Sequence, residues 1–168
     1  MNKNLFHSIY ISAHNNAISL LRESNMLYNN KDYSRSYFLA FTALEELSKS
    51  QLAADVYTDF ITEKYFFQCF RHHNKKIERI DWSYLDATEQ SPNEFWEYIE
   101  TYKPEINKRM ESLYVGLNES KDKIICPNDS ISKEDSESII NIVESAIHKI
   151  TVKTEYSGEQ IGTKGFMK

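Results

Sequence analysis

Glycine and proline are scarce in this chain, at 4 and 3 of 168 residues. A fold of many short strands needs more turn-forming residues, so a turn-rich all-β architecture is excluded and long helices are expected. Cysteine is also rare. Cys69 and Cys126 lie far apart and form no CxxC pattern, which excludes a disulfide framework and a structural zinc site. They read as reduced thiols of a cytoplasmic protein. No stretch approaches ~18 apolar residues, and the opening MNKNLFHSIY has no continuous apolar segment. Neither a standard secretory signal nor a membrane association is therefore expected. Positive charge is not in excess: the net charge is −5, so any nucleic-acid contact must rest on a local basic patch. A Gly-rich phosphate loop, a GxSxG elbow and an HExxH motif are all missing. None of the five histidines follows a glutamate by three positions, as a ferritin-like di-metal helix would require. No metal or cofactor is expected.

What the chain does contain is helical periodicity and aromatic mass. With 11 Tyr, 9 Phe and 40% hydrophobic residues, a single domain can build a core from large side chains. Phe6, Ile9, Tyr10, Ala13, Ala17, Leu20, Leu21 and Leu27 predict a first helix over residues 5–29. A turn at Asn29–Asp32 separates it from a second helix, Tyr33 to Tyr57. The stripe Phe66, Phe70, His73, Ile77 and Ile80 predicts a third helix from about Asp59 to Ile80. Asp81–Gln90 reads as irregular and acidic. Ser91-Pro92-Asn93-Glu94 is a helix-start signal for a fourth helix running to Leu117, kinked or split at Pro104. Asn118–Ser130 reads as a charged loop. Ser132 and Asp135 cap a fifth helix carrying Ile139, Val143, Ala146, Ile147 and Ile150. The expectation is an all-α bundle of about five helices in one domain, residues 1–154, with a flexible tail, residues 155–168, holding Gly158, Gly162 and Gly165.

Three polar residues interrupt the apolar stripes. Glu45 lies in the apolar arc of the second helix, His73 in the stripe of the third and Arg109 in that of the fourth. Each has an ordinary explanation alone: a flanking Glu-to-Lys pair with Lys49, a core histidine bonded to a carbonyl, an arginine snorkelling to water. Three such exceptions on three helices together favour one shared polar site, because buried charges are costly unless they meet. Arg71, His72, Lys75, Lys76 and Arg79 make the end of the third helix the most basic stretch of the chain. Such surroundings disfavour protonated His73 and suit a neutral general base.

The same segments resemble a known family. Leu44-Glu45-Glu46-Leu47-Ser48-Lys49 is similar to its EE-x-x-K helix, His73 and Lys76 to its H-x-x-K element, and Arg109-Met110-Glu111-Ser112-Leu113-Tyr114-Val115 to its R-x-x-x-LYV segment. The family is AbiV, the abortive-infection proteins of bacterial phage defence, classed with the HEPN helical superfamily. The resemblance covers about residues 10–150 and implies a HEPN-like bundle, a homodimer and a defence role. Many HEPN proteins are metal-independent ribonuclease toxins whose signature is Arg, four to six residues, then His on one helix. Here no arginine stands at that distance before a histidine.

Two classes of function follow as expectations. The first is a toxin that cleaves RNA, free or ribosome-associated, and halts translation in infected cells. Glu45, His73 and Arg109 would be its catalytic set, and Glu46, Lys49, Lys76 and Tyr114 would lie on the substrate side. The second is a non-catalytic helical module that blocks translation or binds a phage protein. In either case a phage-encoded trigger protein is an expected partner, contacted through the tail or the Asn118–Ser130 loop. A third, plainer possibility is a buried salt-bridge network with no site.

Overall fold

A computed structural model describes residues 2–73, 75–76 and 106–157. Helix α1, Lys3–Asn29, and helix α2, Tyr33–Tyr57, form an antiparallel hairpin. Asn2 caps the start of α1, its side chain accepting from the Leu5 amide at 3.3 Å. The turn closes through Lys31, which takes the left-handed backbone conformation with φ 67°. α2 is the central element. Alanine and serine occupy much of it (Ser36, Ala40, Ala43, Ser48, Ala53, Ala54 are all buried), so neighbouring helices approach it from several sides.

The core has two parts. Tyr37, Phe41, Leu44 and Leu47 of α2 meet Ala17 of α1 and Ile139, Ile140, Val143 and Ala146 of the last helix. At the other end, Phe6, Tyr10, Leu52 and Val56 enclose Phe66 and Cys69 of α3, Glu63–Phe70. Phe6 and Phe66 meet edge to face with centroids 5.2 Å apart.

Three expectations are corrected. The third helix does not run from Asp59 to Ile80. Asp59 adopts φ 61°, Thr62 caps α3, and the helix ends at Phe70 with Arg71 as its C-cap. Arg71, His72, His73 and Lys75 are all exposed and of this run only Lys76 is buried among the described residues; carrying the whole run into the core would strand charge. The fourth helix is described only as α4, Ile106–Glu111, and it stops before Leu117. The Ser112 hydroxyl donates to the Arg109 carbonyl at 2.6 Å, competing with the helical ladder where the chain turns away. Third, Asn118–Ser130 is not simply a loop. Strands β1, Gly116–Leu117, and β2, Ile124–Ile125, pair antiparallel, and the Asn118 side chain accepts from the Asp122 and Lys123 amides at 3.1 Å each. A single helical turn, α5, follows at Pro127–Ser130.

Helix α6, Lys133–Ser157, starts where expected: Ser132 and Asp135 exchange backbone and side-chain bonds of 2.9 and 3.1 Å. It continues past the expected Thr154 boundary to Ser157, and 158–168 of the expected tail lie outside the described residues. So do the Asp81–Gln90 segment, the Ser91 start signal and Pro104. Among the described residues the protein is an all-α bundle of six helices with one small hairpin, and no described helix is long and apolar enough to cross a membrane.

A buried hydroxyl knot ties three helices. The Ser24 hydroxyl reaches the Ser36 carbonyl at 2.8 Å, the Ser36 hydroxyl donates to the Ser24 carbonyl at 2.9 Å, and the Ser136 hydroxyl donates to the Ser36 hydroxyl at 2.9 Å. Ser36→Ala orphans its neighbours and is expected to cost ~1–3 kcal/mol, read as a lower urea midpoint with an unchanged slope. A midpoint within error of the wild type would mean that water replaces the lost hydroxyl.

Candidate active site

Glu45 is the centre of the site. It sits on α2, 3% exposed, and a carboxylate in that position needs partners. One carboxylate oxygen accepts from His73 Nδ1. The other lies 3.7 Å from Nη2 of Arg109. Residues from α2, from the segment after α3 and from α4 thus converge on one carboxylate. The sequence stripe places His73 inside the third helix, whereas the structure places it beyond the helix end. There its ring is 50% exposed while Nδ1 reaches inward.

That geometry fixes the imidazole. An ionised carboxylate can only accept, so Nδ1 carries a proton and neutral His73 keeps its lone pair on Nε2. No described residue engages Nε2. A buried carboxylate behind a half-exposed imidazole sets the tautomer and orients the outer nitrogen.

Arg109 is held tightly. Its guanidinium carbon lies 4.8 Å from the Phe38 ring centroid and 5.8 Å from that of Phe41. Its Nε is buried without a partner among the described residues. Phe38 and Phe41 escape sequence reasoning as site residues. They stand two turns and one turn before Glu45, so aromatic spacing ahead of an in-stripe glutamate is the signal that marks them.

Lys76 is 5% exposed. The buried Ser48 hydroxyl donates to its backbone carbonyl, pinning this segment to α2. Burial pushes the Lys76 ammonium below its ordinary pKa of 10.5, and Lys49 and Arg109 push the same way against Glu45 and Glu46. Lys49 pairs with Glu46, not with Glu45, and lies 5.2 Å from the Phe70 centroid. Among the described residues two carboxylates, Glu45 and Glu46, thus face three basic side chains, Lys49, Lys76 and Arg109, an excess of one positive charge when all are ionised. Tyr114 is not part of the cluster. It is 57% exposed, and among the described residues no side-chain bond or ring contact ties it there. No group of three His, Cys, Asp or Glu side chains among the described residues could hold a metal ion.

Compared with models of protein families, the chain matches HEPN_AbiV, described as AbiV, over residues 6–148. The chain belongs to the AbiV family. It is an abortive-infection protein of the HEPN class, and every residue of the cluster falls within the matched span. Searches of curated proteins and of solved structures gave no match. In this AbiV protein the polar set comes from three separate segments, and its histidine and arginine, His73 and Arg109, do not share a described helix.

Lys76→Met tests the electrostatics. A cation disfavoured by burial destabilises the native state at neutral pH, so the variant is expected to unfold at no lower urea concentration than the wild type. The sign follows from linkage. A lysine with a lowered native pKa binds fewer protons folded than unfolded, so wild-type stability rises with pH between that pKa and 10.5. The advantage of Lys76→Met should therefore shrink as pH is raised through that window. An advantage independent of pH would show that Lys76 is not held against its protonation.

Proposed function

We propose that this AbiV protein is an antiphage effector that cleaves RNA without a metal ion and so shuts down translation in the cytoplasm of phage-infected bacteria. The observation that carries this reading is the outward-facing Nε2 of His73, backed through Nδ1 by the buried Glu45 carboxylate.

The chemistry is transesterification. His73 Nε2 takes the proton of a ribose 2′-OH, and that oxygen attacks the adjacent phosphorus. The bond to the 5′ oxygen breaks, leaving a 2′,3′-cyclic phosphate, and the imidazolium returns its proton to the departing oxygen. Glu45 orients the ring and stabilises the imidazolium. Arg109 and Lys76 hold the phosphate and its developing charge, with Lys49 and its Glu46 partner at the edge. The expected partners are RNA, free or within the ribosome, a phage-encoded trigger protein and a second copy of this chain. Exposed Met110, Tyr114, Val115, Leu117 and Ile124 offer apolar surface for the last.

A second reading has its own observation. Arg109 is enclosed by Phe38 and Phe41 and is 13% exposed, as a residue locking a bundle would be. In that reading the protein is a non-catalytic module that blocks translation or binds a phage protein. Incubating purified protein with ribosomes and total RNA in the presence of chelator separates the two. Discrete fragments ending in cyclic phosphate are expected. Intact RNA with co-sedimenting protein would replace the nuclease with the binder.

A further inference from the structure

Beside the Glu45 cluster lies an open cavity of about 440 Å³ between α1, α2 and the end of α3. Its size falls within the ~300–1,000 Å³ common for small-molecule sites. The floor is apolar, formed by Ile9 and Ala13, and Phe70 stands at the side, 39% exposed. Ser12 and Asn16, one turn apart on α1, present a hydroxyl and an amide for which the described residues provide no hydrogen-bond partner. Lys49 lines the opposite wall, neutralised by Glu46. It is one helical turn from Glu45, and Phe70 precedes His73 by three positions, so cavity and cluster adjoin.

The division of chemistry is informative. The excess cation lies at Arg109 and Lys76, whereas the cavity contains a compensated ion pair, an aromatic ring and three neutral hydrogen-bonding side chains, of which Ser8 already donates to the Asn4 carbonyl. A phosphate has no reason to enter it. A planar heterocycle does: bases of single-stranded RNA are held by stacking on aromatic rings and by hydrogen bonds to their edges. Serine hydroxyl and asparagine amide each donate and accept, which suits a base edge.

We propose that this cavity binds one nucleobase of single-stranded RNA next to the scissile phosphate and thereby sets sequence preference. The proposal rests on the RNA-cleaving reading for the word scissile, but the binding it asserts can be measured without cleavage.

The test uses the full chain carrying His73→Ala, so that the probe stays intact. Affinity for short fluorescent homopolymers of A, C, G and U is read by anisotropy, with and without Ser12→Ala/Asn16→Ala and, separately, Phe70→Ala. Ser12 and Asn16 are exposed, so that pair spares the core, whereas Phe70 also rests on the buried Phe66 with centroids 5.5 Å apart, so circular dichroism and a urea midpoint check each fold. One homopolymer is expected to bind about tenfold tighter than the others, with that preference lost in the cavity variants. Equal affinity for all four, a preference that the cavity variants leave intact, or no RNA binding at all overturns the proposal. Cleavage by the His73-containing protein is scored in parallel. Cleavage with no cavity effect removes the base site and keeps the nuclease, while base-selective binding without cleavage keeps the base site and removes the nuclease.

Discussion

His73→Ala is expected to abolish growth arrest on expression and to lower RNA cleavage by about 10²–10⁴-fold, the usual contribution of a general acid–base group. The fold should survive. The His73 ring is half exposed, and Glu45 keeps Arg109 as a partner when the imidazole is gone. Circular dichroism should be unchanged and thermal melting should remain cooperative. This combination separates the nuclease from a purely structural network, in which loss of His73 costs ~1–3 kcal/mol for orphaned groups and changes nothing else. A fully toxic His73→Ala protein would end the catalytic assignment. His73→Gln sharpens the result, because an amide can hydrogen-bond Glu45 but cannot take a proton at neutral pH.

Glu45→Ala should have the opposite profile, a large loss of stability together with loss of function. It removes the one carboxylate shared by His73 and Arg109, and Glu46 is engaged with Lys49. Arg109 and Lys76 are then buried without a counter-charge, a situation that typically costs ~3–5 kcal/mol. That is a large fraction of the ~5–15 kcal/mol that holds a domain together. The expected readout is a strongly reduced urea midpoint. Adding Arg109→Met should restore much of it, since removing both members of a buried pair costs less than removing one. A Glu45→Ala protein that unfolds at the wild-type urea concentration would mean that water reaches Arg109 and solvates it.

How much of this is legible in the sequence differs by element. The boundaries of α2 are visible as a turn before Tyr33 and a break after Tyr57, and the start of α6 is visible in the Ser132–Asp135 capping pair. Local hydrogen bonding and apolar spacing suffice for these. The end of α3 was not legible. No glycine or proline lies between Thr58 and Ile80, so the periodicity runs straight through the break at Arg71–His72, after which His73, Lys75 and Lys76 are helical again. The hairpin at Gly116–Ile125 leaves no mark in the sequence for a related reason. Its strands are two residues each, too short for an alternating pattern, and the side chain that organises its turn, Asn118, looks like any loop asparagine.

The sequence by itself determined that this is a helical protein of the AbiV family and that Glu45, His73 and Arg109 break their apolar surroundings. Composition, spacing and desolvation cost are properties of the chain and of water, and they can be read without coordinates. Only the tertiary structure decided how those three residues meet. It directs Glu45 to His73 and Arg109 and leaves Lys49 to Glu46. It turns His73 outward with its Nδ1 held, encloses Arg109 between two phenylalanines, and leaves Tyr114 apart. Pairing depends on distances between segments far apart in the chain, and those distances exist only once the helices have packed.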